Sequence, residues 1–269
     1  MIGRRAITIA ISAVCVAGGV YAASATVGNP DLITFPEGYE KGVLYQTLDR
    51  HDTKQYRELY STPEAVKAVR EGRPIPSGTV LTLVQYSAKK DDKGNVLKDG
   101  KGRFVKGDLV AYTVMEKRKG WGASYPSEIR NGEWEYAVFT KDKQRNAKAN
   151  IQGCFGCHKP HEQQDFVISL ASLSGTALGA VQRPKGPGTV AIAEFLFGPE
   201  KAVVKAGQSI TWTNVDDSPH QVTVQGESTL RTPVVLKGQS TTLQFDHPGT
   251  YGYICGLHPS MKGTIEVTK

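Results

Sequence analysis

From Ser174 to Gly188 the chain is dominated by Gly, Ala, Ser and Pro with two cations. A stretch of that composition has too little apolar surface to join a core and reads as a linker. It limits the rest of the 269 residues to about two modest domains, at roughly 100–200 residues each. Upstream, residues 26–173 are charged, mixed in pattern and net positive; downstream, residues 189–269 are marginally acidic. The 29 Gly and 14 Pro suggest frequent turns, hence β structure rather than helical bundles. The formal charge of +7 includes Arg4 and Arg5 near the start. What remains is too mild and too scattered for a nucleic-acid-binding surface.

The first 25 residues have the layout of a signal peptide: two Arg, an apolar stretch over 6–20, then Ala23-Ser24-Ala25 as a small-x-small cleavage site. An uncleaved anchor is the alternative, since the apolar run approaches the ~20 residues of a membrane span. No later run reaches that length. The expectation is export to a periplasm-like compartment, cleavage near Ala25 and no span in the mature chain.

In the upstream part, Thr62 to Glu71 reads as a helix, with Pro63 in its first turn and an apolar stripe of Ala65, Val66, Ala68 and Val69. Thr79–Tyr86, Asp108–Met115 and Trp134–Thr140 alternate like strands, and Lys89 to Lys106 reads as a solvated hairpin loop. Downstream, seven short strand-like runs follow within about eighty residues: Val190–Phe197, Ala202–Val204, Ser209–Thr213, Gln221–Val224, Thr241–Phe245, Tyr251–Ile254 and Gly263–Val267. That density indicates a small β-sandwich.

Of four cysteines, Cys15 falls in the leader, leaving three, which is no disulfide framework. Cys154-Phe155-Gly156-Cys157-His158 is the Cys-x-x-Cys-His pattern of c-type haem attachment. The thiols bind the vinyl groups and the adjacent His is placed for the iron. A thioredoxin-like pair or half a zinc site are the other readings, but no second Cys pair is present for zinc. Cys255-Gly256-Leu257-His258-Pro259-Ser260-Met261, with His220 upstream, offers a thiolate, two imidazoles and a thioether. That is the ligand set of a blue-copper electron-transfer centre.

Phe35-Pro36-Glu37-Gly38-Tyr39, Arg57-x-x-Tyr60-x-x-Pro63-Glu64, Trp134 and the haem motif, in that order, resemble the cytochrome P-460 family with its related cytochromes c-prime-beta. The resemblance implies a mostly antiparallel sheet with a few helices, often dimeric, and one covalent haem c with an open distal face. It also implies a distal-pocket role for Arg57, whose other reading is a surface ion pair. Hydroxylamine-oxidising members cross-link a Lys to the haem, and Leu83 stands at that position here. This points toward the c-prime-beta branch, whose apolar pockets bind nitric oxide. Met115 and His51 are weaker candidates for closing the distal face.

Ile210-Thr211-Trp212-Thr213-Asn214 and Pro248-Gly249-Thr250-Tyr251, together with the ligand loop, resemble the cupredoxins, amicyanin in particular. The resemblance implies one type 1 copper on His220, Cys255, His258 and Met261, with His247 a loop residue. Gln221 replaces a frequent Asn and Leu257 a Pro. Together the expectation is a mainly β chain: an α+β antiparallel-sheet haem domain (26–173), a linker (174–188) and a cupredoxin sandwich (189–269). Its function would be redox chemistry with nitric oxide or hydroxylamine at the haem, served by a soluble partner protein, with homodimerisation through the haem domain. A gas-binding protein without turnover and a pure electron carrier are the alternatives.

Overall fold

The structure, a computed structural model, describes residues 32–176, 183–226 and 230–269. The expected signal peptide and the middle of the expected linker lie outside the described residues.

Five strands, β1 (Val43–Arg50), β2 (Gln55–Ser61), β3 (Val80–Ala88), β4 (Lys106–Lys117) and β5 (Trp134–Thr140), pair antiparallel in chain order. β3 to β5 match the sequence expectation; β1 and β2 were not anticipated. The reason lies in what their two faces meet. One face of the sheet carries Val84, Tyr112, Val114, Ala137 and Phe139, packed on Ile33 and Phe35. On the other face Leu48, Arg57, Leu59, Leu83, Gln85 and Thr113 line a cavity. Polar residues on the cavity side break the alternation that marks a half-buried strand.

Helix α1 (Pro63–Arg70) forms where expected, with Pro63 at its start. Helix α2 (Ile151–His158) carries the Cys-x-x-Cys-His motif. Asn150 caps it, its side chain accepting from the Gly153 amide at 3.1 Å. Asn131 ties α2 to β5, donating to Tyr136 Oη at 2.9 Å and to the Phe155 carbonyl at 3.0 Å. Helix α3 (Leu170–Ser174) packs on α1.

The segment from Lys89 to Lys106 is more ordered than a solvated loop. It makes two tight turns, in which Asp91 and Asp99 accept backbone amides at 2.8–3.0 Å. Arg103 then reaches Asp49 at 2.8 Å, so Lys98 and Lys101 rim the cavity.

The downstream part is a sandwich of two four-stranded sheets. One contains β10 (Val222–Val224), β12 (Gly249–Cys255), β13 (Lys262–Thr268) and β8 (Lys201–Lys205); the other contains β11 (Ser240–Phe245), β9 (Gln208–Asn214), β6 (Thr189–Ala193) and β7 (Leu196–Gly198). Trp212, Tyr253, Ile210 and Ile265 fill the space between them. The run Val190–Phe197, read as one strand, is two. Glu194 and Phe195 form a two-residue hairpin turn, both at φ 56°. Such turns require positive φ at both positions and strongly favour Asn and Gly, so a Glu-Phe pair there is strained.

The two units touch through the end of β1. Leu48 packs against the sandwich core, and Gln46 Nε2 donates to Asp217 at 3.4 Å. The Arg50 guanidinium lies 3.8 Å from the Phe195 ring centroid. Among the described residues, no helix is long and apolar enough to cross a membrane.

Candidate metal centres

His220 precedes β10, Cys255 ends β12, and His258 lies in the loop to β13. Pairing of β10 with β12 sets Val222 against Cys255 and so brings His220 to the thiol. Donor atoms of the three residues lie within 4.8 Å of one another. Nδ1 of His220 is 3.6 Å and Nδ1 of His258 3.7 Å from Cys255 Sγ. Met261 is buried in the same apolar cluster. Its carbonyl accepts from the Cys255 amide at 3.2 Å, and its amide donates to the His258 carbonyl at 2.9 Å. A Cβ at Gly256 would come within 2.6 Å of Gln221 Oε1, so a larger residue there would have to displace the Gln221 side chain from its partners.

The electrostatics suit a soft cation. Burial opposes the Cys255 thiolate, but hydrogen bonds from His220 and His258 outweigh it and bring the thiol down to about 5. The Gln221 amide also donates to Sγ at 3.5 Å. His220 Nε2 meets Asp216 Oδ2 at 3.1 Å, which leaves Nδ1 free toward the thiol. Burial pushes the His220 pKa down, yet Asp216 and Cys255 raise it overall. Gln221, the departure noted in sequence, spans outward: its amide donates to the Thr232 carbonyl at 2.9 Å and its oxygen accepts from Arg231 at 2.6 Å. His247 is exposed, and its carbonyl accepts from Tyr251 Oη at 2.9 Å, consistent with a loop role.

The second centre is a cavity of about 870 Å³ between α2 and the sheet. Cys154, Cys157 and His158 fall on one face of α2, as residues three and four apart do, and all three line the cavity. Neither cysteine is in a disulfide, and burial pushes the thiols up to about 11 for Cys154 and about 12 for Cys157. His158 Nδ1 lies 2.7 Å from the Phe166 carbonyl, so it donates there and leaves Nε2 as the free lone pair. Burial holds the ring neutral, lowering its pKa to about 4. Volume, thiols and an anchored imidazole all fit a covalently attached haem.

The expected distal residues face this same space. Leu83 lines the cavity beside Leu59 and Leu81, while Lys89 and Lys90 are exposed. Arg57 also lines it, donating to Gln55 Oε1 at 2.7 and 3.1 Å. Burial and the neighbouring Arg50 charge push its pKa down to about 9, so it is cationic at neutral pH. Met115 lines the cavity from within the cluster of Trp134, Tyr136 and Phe155. His51 stacks on Phe104 at 4.5 Å and sits 3.8 Å from Glu194, at the contact between the two units. Sequence reasoning passed over Arg50, Phe195 and Asp216, for which no local motif exists. Leu257 and His258 of the first centre also line the cavity of the second.

Residues 36–169 match the Cytochrome P460 family, and residues 166–267 match the cupredoxin-like domain. Amicyanin-alpha of Methylorubrum extorquens is 39% identical over 113 residues, covering 38% of this chain and 95% of its own length. Amicyanin of Paracoccus denitrificans is 35% identical over 98 residues, covering 35% of this chain and 75% of its own length. The crystal structure of amicyanin from Paracoccus versutus is 25% identical, with a TM-score of 0.29, and covers 34% of this chain and 89% of that one. With the P460 match come c-type haem, and with the cupredoxin match type 1 copper. The chain therefore belongs to the amicyanin-like cupredoxins through its C-terminal part and carries a cytochrome P460 domain ahead of it, as a haem and copper redox protein.

Proposed function

We propose that this is an exported redox protein of nitrogen-oxide metabolism, engaging nitric oxide or hydroxylamine in the cavity beside α2. Cys154 and Cys157 hold the haem through thioether bonds, His158 Nε2 binds its iron, and His220, Cys255, His258 and Met261 hold one copper. When bound, the haem would supply an iron able to take a ligand and single electrons, and the copper would supply a one-electron site. The observation that carries this reading is the shared cavity: it contains the haem-motif residues and is walled by Leu257 and His258 of the copper loop.

The chain's own residues define the ligand. Leu59, Leu81 and Leu83 give one wall of the cavity an apolar patch that suits a small apolar gas. Arg57 offers a cation that hydrogen-bonds a polar or partly anionic diatomic. Leu83 in place of a cross-linking Lys favours nitric oxide over hydroxylamine oxidation. It also supports a second reading, reversible nitric oxide binding without turnover. We place the protein in the periplasm, served by a soluble redox partner and paired as a homodimer through the haem domain.

The test is an optical titration of the purified holoprotein with nitric oxide and with hydroxylamine, alongside mass spectrometry of the haem peptide. Expected are nitric oxide binding to the reduced protein, weak or absent hydroxylamine oxidation and no Lys-linked haem peptide. A Lys-linked peptide would restore hydroxylamine oxidation as the leading activity. A six-coordinate spectrum that nitric oxide leaves unchanged would reduce the protein to an electron carrier.

A further inference from the structure

Phe195 is the side chain on which the two centres converge. Its ring stands edge-on to both imidazoles of the copper cluster, with centroids 5.5 Å from His220 and 5.1 Å from His258. Its outer side carries the Arg50 guanidinium at 3.8 Å, within cation–π range. Arg50 is itself a wall residue of the haem cavity. A bulky side chain reaches this place only because it sits in a strained turn. Glu194 and Phe195 both adopt φ 56°, and Asp216 stabilises that conformation by accepting the Glu194 amide at 2.5 Å and the Phe195 amide at 2.9 Å. Asp216 also accepts from His220. One carboxylate therefore sets both a copper-side imidazole and the ring beside it, and strain held in this way marks a functional constraint.

A second contact fixes Arg50 from the other side. Asp52 Oδ1 and Oδ2 accept from Arg50 Nε at 2.8 Å and Nη2 at 2.6 Å. Asp52 Oδ2 also accepts from Ser260 Oγ at 2.6 Å, and Ser260 lies inside the copper loop between His258 and Met261. Arg50 and Asp52 thus grip the copper domain at two points: the Phe195 turn and the ligand loop. His51, between them, stands 3.8 Å from Glu194 of the same turn.

We propose that the Arg50–Phe195 contact, braced by Asp52 and Ser260, is the docking lock that holds the copper loop over the haem cavity. Phe195 is then a positioning residue for exchange of electrons between the centres. The assignment rests on the redox reading above for its purpose, though not for its structural content. Arg50 and Phe195 both line the haem cavity but are not among the Cys, His and Met donors of either centre, so substitution leaves the ligand sets intact.

The experiment compares the holoprotein with Arg50→Gln, Phe195→Leu and Ser260→Ala. Small-angle scattering reads docking, the blue and haem absorption read the centres, and flash reduction of the haem reads transfer at several protein concentrations. Arg50→Gln and Phe195→Leu should expand the molecule, lower the concentration-independent transfer rate about tenfold and keep both centres loaded, with the blue and haem bands still present. Ser260→Ala should have a smaller effect in the same direction. Unchanged scattering and rate in both Arg50→Gln and Phe195→Leu would overturn the lock. Loss of the blue absorption in Phe195→Leu would also overturn it, making Phe195 a structural support of the copper ligands. If the parent protein shows no concentration-independent transfer and the variants still expand, the lock stands and the redox reading fails.

Discussion

His158 Nδ1 and the carbonyl oxygen of Phe166 are 2.7 Å apart, eight positions along the chain. The carbonyl can aim at the ring because Asp165 and Phe166 both take left-handed conformations, at φ 50° and 60°. Trp134 holds this corner, its indole N–H donating to the Asp165 carbonyl at 2.8 Å, and Lys117 pairs with the Asp165 carboxylate at 2.5 Å.

Trp134→Phe should therefore loosen the hydrogen bond to His158. Losing one buried hydrogen bond and part of a buried ring costs about 2–3 kcal/mol. The iron–imidazole stretching band in the resonance Raman spectrum should move to lower frequency, because the imidazole becomes a weaker donor. An unmoved band alongside the stability loss would limit Trp134 to packing.

Asp216→Asn should weaken copper binding. An amide in that place can no longer accept strongly from His220 and from the Glu194 and Phe195 amides together. Loss of such an outer partner typically costs about 10–100-fold in metal affinity, measurable by competition with a copper chelator. Cys255→Ser should abolish the intense thiolate-to-copper absorption and leave the haem spectrum unchanged.

Arg57→Leu should reduce affinity for a polar or anionic haem ligand by about 10–100-fold, the worth of a hydrogen bond to a charged group. Arg57→Lys should recover part of this loss. Equal affinities in all three proteins would leave Arg57 a structural residue paired with Gln55.

Asp52 sets an acid limit on docking. Burial works against its charge, but hydrogen bonds from Arg50 and Ser260 outweigh it and lower its pKa from 3.8 to about 2. Arg50 belongs to the same unit as Asp52, so only the part of the shift owed to Ser260 is linked to docking; that part is present above about pH 4 and is lost as pH falls toward 2. Scattering profiles should be constant from pH 7 to 4 and expand below that. Asp52→Asn should remove this dependence.

Much of the chemistry was legible in the sequence because it is local. Cys154, Cys157 and His158 sit on one helical face whatever the rest of the chain does. Cys255, His258 and Met261 lie on one loop, and His220 needed only the pairing of β10 with β12. The strands β1 and β2 were hidden because a cavity-facing side is polar where a core-facing side is apolar. Arg57 and Leu83 were found by resemblance, and the fold then brought both to the cavity wall.

The sequence by itself determined which donors each centre could offer, since spacing within a helix or loop decides which side chains share a face. Only the tertiary structure decided that the two centres open on one cavity, with Phe195 between the copper imidazoles and Arg50. Ser260 and Asp52 are 208 positions apart, and no periodicity or motif links them. Their contact exists because packing of Leu48 on the sandwich brings the end of β1 against the copper loop, and burial there makes an unpaired Arg50 costly enough to fix the geometry.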